Sequence, residues 1–267
     1  MIRDITIGQY YPANSILHRL DPRVKFVGTM LFVISLFILQ TWIGYAMATI
    51  FLVSLIIMSK VPFGFMVKGL KTIIVLMLAT VVLNIFFTPG ETVIWQWRII
   101  KITHEGIVVA VKMMTRLVYL ILGSSLMTLT TTPTQLTSAL ERLLRPLNKI
   151  KVPVHEIAMM MSIALRFIPI LLEETDKIMK AQMARGADFE SGGLMKRVKS
   201  MIPLLVPLFV SAFHRADDLA TAMEARCYHG GQGRTQMKPL VYKSGDIIGY
   251  LILALYLAVC IVVAYHN

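Results

Sequence analysis

Charge is what this chain has least of. Only 16% of its residues are charged, and acids are the rarer sign: 15 Asp and Glu stand against 27 Lys and Arg. A soluble domain of this length needs far more polar surface, so a mean hydropathy of +0.69 excludes that class and leaves an integral membrane protein. Cysteine is almost absent. Cys227 lies in a basic region and Cys260 in the last apolar run, which excludes a disulfide framework or a thiolate metal cluster. The six histidines have no metal-ligand spacing. No G-x-x-x-x-G-K-[ST] loop is present to cradle nucleotide phosphates, and G-x-S-x-G, H-E-x-x-H and C-x-x-C are missing too. No cofactor and no metal is therefore expected. The net charge of +12 could suggest nucleic acid, but no basic stretch is interleaved with aromatics, so cytoplasmic loops rich in Lys and Arg are the plainer source.

Long apolar runs are what the chain does have. They are rich in Leu and Met with little alternation, which argues helices and not a barrel. Residues 24–59 are free of charge after Lys25 until the run ends. One helix of that length would measure about 54 Å, against a hydrocarbon core of about 30 Å, so the run must fold back, with Gln40-Thr41-Trp42 as the turn. The expected spans are 24–40, 43–59, 69–87, 106–130 and 246–265. Pro89-Gly90 stops the third, and Trp95 and Trp97 read as interfacial anchors. This predicts an all-α integral membrane protein of about five spans, organised as a membrane domain 1–130, a cytoplasmic region 131–245 and a last span in 246–267. No cleavable signal peptide is expected, because the polar stretch before the first run is long. Sixteen of the 27 basic residues fall in 131–245, on the same side as Arg3, Arg19, Arg23 and Lys25. The positive-inside rule then puts the N-terminus in the cytoplasm and the C-terminus outside. Lys112 and Arg116 sit one helical turn apart inside the fourth run, either snorkelling or making a polar contact within the bundle.

The 131–245 region reads as helices. Thr132-Pro133-Thr134-Gln135 fits a capping box with Pro at the first helical position, opening an amphipathic helix over 132–150. Two long helices follow, near 154–186 and 195–227, each apolar first and charged later. A competing reading makes 157–172 and 202–213 a transmembrane hairpin, but the second run is short and the hairpin would place six cations outside.

Both long helices end in the same frame. Asp176-Lys-Ile-Met-Lys-Ala181-Gln-Met-Ala184-Arg185 precedes Gly186, and Asp217-Asp-Leu-Ala-Thr-Ala222-Met-Glu-Ala225-Arg226 precedes Cys227. An arginine near a helix C-terminus can simply be a cap favoured by the macrodipole. Two copies with small flanking residues suggest more: a guanidinium fork on a rigid end, free to enter an acidic groove of a partner. Gly186 and Gly230-Gly231 read as the helix stops. Asp217-Asp218 resembles the start of a magnesium-diphosphate cluster, but a third acid at the right spacing is missing.

Several motifs in order resemble the T component of energy-coupling factor (ECF) transporters. They are Gly8-Gln-Tyr-Tyr-Pro12, His18-Arg-Leu-Asp-Pro-Arg-Val-Lys25, Asn84-Ile-Phe-Phe-Thr-Pro-Gly90, Leu165-Arg-Phe-Ile-Pro169, Ala184-Arg-Gly-Ala-Asp188 and Ala222-Met-Glu-Ala-Arg-Cys-Tyr228. The resemblance implies a multi-pass scaffold of the bacterial plasma membrane. It would join two ATP-binding-cassette ATPases, of the EcfA and EcfA′ types, to a substrate-binding S component for vitamin or micronutrient uptake, and would itself catalyse nothing. It also implies that Ala184-Arg185-Gly186 and Ala225-Arg226-Cys227 dock the two ATPases. Cys227 departs from the family's glycine and leaves open whether the two sites are equivalent. The alternatives are a T component dedicated to cobalt, nickel or biotin, a magnesium-dependent membrane transferase using Asp217-Asp218, and a passive anchor that gives no reason for the doubled frame.

Overall fold

The computed structural model describes residues 10–90, 92–97, 100–187, 189, 193–231, 237 and 239–266. In chain order the elements are α1 (Ile16–Arg19), α2 (Pro22–Ile38), α3 (Trp42–Ser59), α4 (Phe63–Phe87), β1 (Val93–Trp97), β2 (Ile100–Thr103), α5 (His104–Thr130), α6 (Pro133–Leu144), a 3-10 turn (Arg145–Ile150), α7 (Val154–Ala184), α8 (Leu194–Ala225) and α9 (Ser244–Tyr265). The protein is an all-α integral membrane protein. Among the described residues α3, α5, α7 and α9 are long and apolar enough to cross a bilayer, and so is α4 if its two segments count as one. Two compact units divide the chain, one of Gly8–Ala139 with Leu240–Asn267 and one built on Leu140–Pro239.

In the first unit the helix boundaries follow from local chemistry. Asp21 caps α2 by accepting from the Arg23 N–H at 2.8 Å, with Pro22 at the first helical position. Thr41 caps α3 through a 3.3 Å bond from the Gly44 N–H. A Cβ at Gly44 would come within 2.6 Å of Leu39 Cδ2, so a larger residue there would push against the buried Leu39 side chain. The turn leaves α2 after Ile38, slightly earlier than the expected 40–42. α4 begins six residues before the expected 69 and bends by 61° between Lys71 and Ile73, so its upright apolar part is Ile73–Phe87. The hairpin β1–β2 pairs Val93 with Thr103 and Trp97 with Ile100, between the third and fourth expected spans, where the sequence reads as a loop with interfacial tryptophans.

Packing in this unit is inside-out relative to a soluble protein. Leu36, Leu39, Ala48, Met66 and Cys260 are sealed in the interior. Ile50, Val75 and Phe87 are 71%, 75% and 79% exposed, as residues facing lipid must be. The charged groups at the start of α2 and α9 that go inside are paired. Asp246, 2% exposed, accepts from the Asp21 and Lys243 N–H groups, both at 2.7 Å. Arg23 forks onto Asp21, donates to the Leu240 carbonyl at 3.2 Å and stacks on Tyr242. Burial pushes the Asp21 carboxyl up, but the Arg23 side chain and N–H outweigh it and hold the group below the ordinary aspartate value. Lys25 Nζ donates to the Thr130 carbonyl at 2.8 Å, closing the C-terminus of α5.

The capping box at α6 forms: the Thr132 N–H reaches Gln135 Oε1 at 3.2 Å, and the Gln135 N–H reaches Thr132 Oγ1 at 3.3 Å. The α-helix stops at Leu144 because Pro146 follows, and the rest of the expected 132–150 helix tightens into the 3-10 turn. In the second unit α7 and α8 run unbroken through Pro169, Pro203 and Pro207.

Candidate functional site

The two arginine frames end their helices in the same geometry. Arg185 is the C-cap of α7 and Arg226 the C-cap of α8, with φ of −89° and −93°. At the first end the Gly186 N–H bonds the Met183 carbonyl at 3.0 Å and the Ala187 N–H bonds the Gln182 carbonyl at 3.0 Å. At the second the Cys227 N–H bonds Glu224 at 2.8 Å and the Tyr228 N–H bonds Met223 at 3.0 Å. Both are Schellman motifs, which satisfy the orphan carbonyls of a helix end by turning one residue left-handed. That residue is Gly186 at φ +87° in one copy and Cys227 at φ +55° in the other. The helix stop at α8 is therefore Cys227. The expected stop at Gly230-Gly231 lies downstream of it, and Gly231 packs on the His155 ring.

Ala184, Arg185, Gly186, Ala225, Arg226 and Cys227 are all exposed. Among the described residues neither guanidinium has an ion pair or a side-chain hydrogen bond. Each arginine therefore presents five unused N–H donors in a planar fork, at the negative end of a helix that favours its charge.

The pairing of α7 with α8 sets the two tips apart. Arg215 donates to Glu174 at 2.7 Å, Gln182 Nε2 lies 3.5 Å from the Pro203 carbonyl, and Gly231 rests on His155. Each advance along α7 meets a retreat along α8, so the helices are antiparallel and their C-termini point opposite ways. At about 1.5 Å per residue the tips stand roughly 35 Å apart. The Glu174–Arg215 ion pair sits midway. Nothing local in the sequence links these two residues, 41 positions apart. At the far side of α7, His155 Nδ1 and Glu141 Oε1 are 2.8 Å apart, tying α7 to α6. These two pairs were not found by reading the sequence.

The acids of the frame do not assemble a metal centre. Among the described residues no group of three or more His, Cys, Asp or Glu side chains could hold an ion, so Asp217 and Asp218 have no third ligand. An apolar stripe does appear on α8. Ile202, Val206, Phe209 and Phe213 recur at helical spacing and are 52–70% exposed, while α7 exposes Met160 and Met161. On each helix the exposed apolar residues precede the arginine in sequence; because the helices are antiparallel, the α8 stripe lies beside the C-terminal half of α7, where Gln182 meets Pro203.

A family model described as CbiQ, cobalt transport protein, matches residues 13–237. The chain is 57% identical over 248 residues to the energy-coupling factor transporter transmembrane protein EcfT of Ruminiclostridium cellulolyticum, covering 93% of this chain and 92% of that one. It is 54% identical to the EcfT of Clostridium kluyveri, over 94% and 93% of the two chains. With the EcfT of Bacillus subtilis it shares 50% identity over 95% and 97%. Twin capped arginines on a multi-pass helical membrane protein, and these similarities across almost the whole length, lead to one conclusion: the chain belongs to the EcfT family of energy-coupling factor transporter transmembrane components.

Proposed function

We propose that the protein is the non-enzymatic coupling subunit of an ECF importer, with Arg185 and Arg226 as the docking points for two cytoplasmic ATPases. The observation that carries this reading is the pair of open guanidinium forks in matching Schellman caps, held at opposite ends of one antiparallel helix pair. Two ATPases closing on ATP would displace the two tips relative to each other. Packed helices convert such a displacement into a rigid-body or shear shift. The exposed apolar halves of α7 and α8 would pass it to a substrate-binding S component at the membrane, which delivers its vitamin or micronutrient inward. The energy comes from the partners' ATP, and this chain catalyses nothing.

The reading places the N-terminus inside, crosses the bilayer with α2, α3, the upright part of α4, α5 and α9, and keeps 131–245 in the cytoplasm. Of the helices described in 131–245, α7 is the one with the length and composition for a span. Crossing there would strand Lys177, Lys180 and Arg185 outside, against the positive-inside rule, with an antiparallel partner in α8 that carries Arg215, Asp217 and Asp218.

Charge reversal tests the docking role. Arg185→Glu with Arg226→Glu is expected to fold in detergent and to lose both ATPases on co-purification. Single reversals should lose them partially, since truncating one member of a desolvated charge pair costs about 2–5 kcal/mol. Full retention by the double variant removes the docking role. The family model's description as a cobalt transport protein favours a second reading, a T component dedicated to one system. Co-purification from native membranes separates the two: several S components mean a shared scaffold, and one means a dedicated scaffold.

A further inference from the structure

Lys112 and Arg116 both reach across from α5 to the end of α2. Lys112 Nζ donates to the Gln40 carbonyl at 2.7 Å and lies 5.7 Å over the Trp42 ring. Arg116 Nη2 is 3.5 Å from the Leu39 carbonyl, and its guanidinium is 5.4 Å over Phe37. These carbonyls belong to the α2–α3 turn just past the last helical residue, Ile38, so the cations tie that turn to α5 near the negative end of α2. They do so with donors to spare. Lys112 uses one of three N–H groups, and the Nε–H of Arg116 is buried without a partner. No carboxylate pairs with either cation among the described residues.

Helix lengths put this pair at an unusual depth. α2 has 17 residues and α3 has 18, so they reach about 26–27 Å, short of a hydrocarbon core of about 30 Å. α5 has 27 residues and is antiparallel to α2, with Lys25 against Thr130 at one end and Gln40 against Lys112 at the other. The stretch from His104 to Val111 therefore continues about 12 Å past the α2–α3 turn. Two uncompensated cations lie at the foot of this step, next to side chains that face lipid: Phe37, Trp42 and Ile43 are 57%, 54% and 69% exposed. Leaving them without an anion in that setting is costly. The anion available at a membrane surface is the phosphodiester of a phospholipid, and the exposed apolar side chains beside the cations suit its chains.

We propose that Lys112 and Arg116 bind the phosphate of a membrane phospholipid, drawn down beside the α2–α3 turn against Phe37 and Trp42. The proposal rests on the spanning reading of α2, α3 and α5 and is independent of the arginine tips, so ATPase retention should be unaffected by it. The test uses the intact complex. Native mass spectrometry of the wild type is expected to show phospholipid retained after detergent washing, and Lys112→Gln with Arg116→Gln to reduce it at least tenfold. Because those substitutions also free the α2–α3 turn from α5, a wild-type measurement accompanies them. Delipidated complex is heated with dioctanoyl phosphatidylglycerol, with dioctanoylglycerol, or with inorganic phosphate at equal concentration. Only the phospholipid should raise the midpoint, and Arg116→Lys should keep part of the rise. An equal rise with inorganic phosphate assigns a free-anion site and overturns the lipid. An equal rise with dioctanoylglycerol overturns the phosphate contact, and no rise with any of the three overturns the site.

Discussion

The two units treat charge in opposite ways. In the membrane unit the charges at the start of α2 and α9 are consumed by the fold: Asp246 closes two backbone donors, Arg23 is taken up by Asp21 and Leu240, and Lys25 closes α5. In the α7–α8 unit one ion pair holds the helices together, and the two arginines that share a sequence frame are left open. A charge buried with all its partners fixes one arrangement of the chain, and removing a partner is expensive. A charge held rigid with none of its partners is cheap to change. The contrast separates residues the fold depends on from residues it leaves open.

The largest effect should come from the closed network. Asp246→Ala removes both acceptors and leaves the Asp21 N–H buried without its partner, while the Lys243 N–H opens to its surroundings. The expected loss is about 2–3 kcal/mol, the scale of a buried hydrogen bond to a charged group, read as a fall in the thermal midpoint of the purified protein. Arg185→Glu and Arg226→Glu should each change the same midpoint by about 1 kcal/mol or less, the scale of a surface cation at a helix end. Comparable losses at all three positions would erase the distinction between the units.

Much of this contrast was legible in the sequence, and the reason is local. Apolar runs bounded by cations give the spans, and small residues around each arginine give the tips. Thr132-Pro-Thr-Gln gave a cap that the structure forms atom for atom. The Asp21–Asp246 bond was not legible, because its partners lie 225 residues apart and neither has a local signature. The bend in α4 escaped for a related reason: Phe63–Lys71 is apolar enough to read as approach to a span, and its direction depends on what it packs against. At α8 the expected end near 227 holds, but the stop is not made by the double glycine. The chain had already turned at Cys227, where a non-glycine residue takes the left-handed conformation against its own preference.

That preference sharpens the comparison between the tips themselves. Gly186 has open space around its missing Cβ, so Gly186→Ala should cost only the left-handed strain, about 1 kcal/mol. Cys227→Gly removes the same strain and should gain roughly 0.5–1 kcal/mol after the added freedom of the unfolded chain. Hydrogen exchange at the Ala187 and Tyr228 amides, which close the two motifs, reads both changes locally. Faster exchange at Ala187 in the first variant and slower exchange at Tyr228 in the second is the expected pattern. If Cys227→Gly leaves Tyr228 unchanged, the second tip is held by something other than its own cap.

The smallest effect is expected at Glu174–Arg215, and it bears on how the tips stay apart. Its side chains are 28% and 36% exposed, so solvent weakens the pair, and an exposed bridge of this kind is worth about 0.2–1 kcal/mol. Glu174→Gln should therefore barely move the thermal midpoint. The pair is nonetheless the one ion pair joining α7 to α8 among the described residues, and it sits where a shift of one helix past the other must be resisted or allowed. The informative readout is the distance between spin labels placed at residues 181 and 222, one turn back from each tip. Glu174→Gln should broaden that distance distribution without shifting its centre. A shifted centre would mean that the pair sets the separation of the tips, and an unchanged width would mean that apolar packing alone holds the arms rigid.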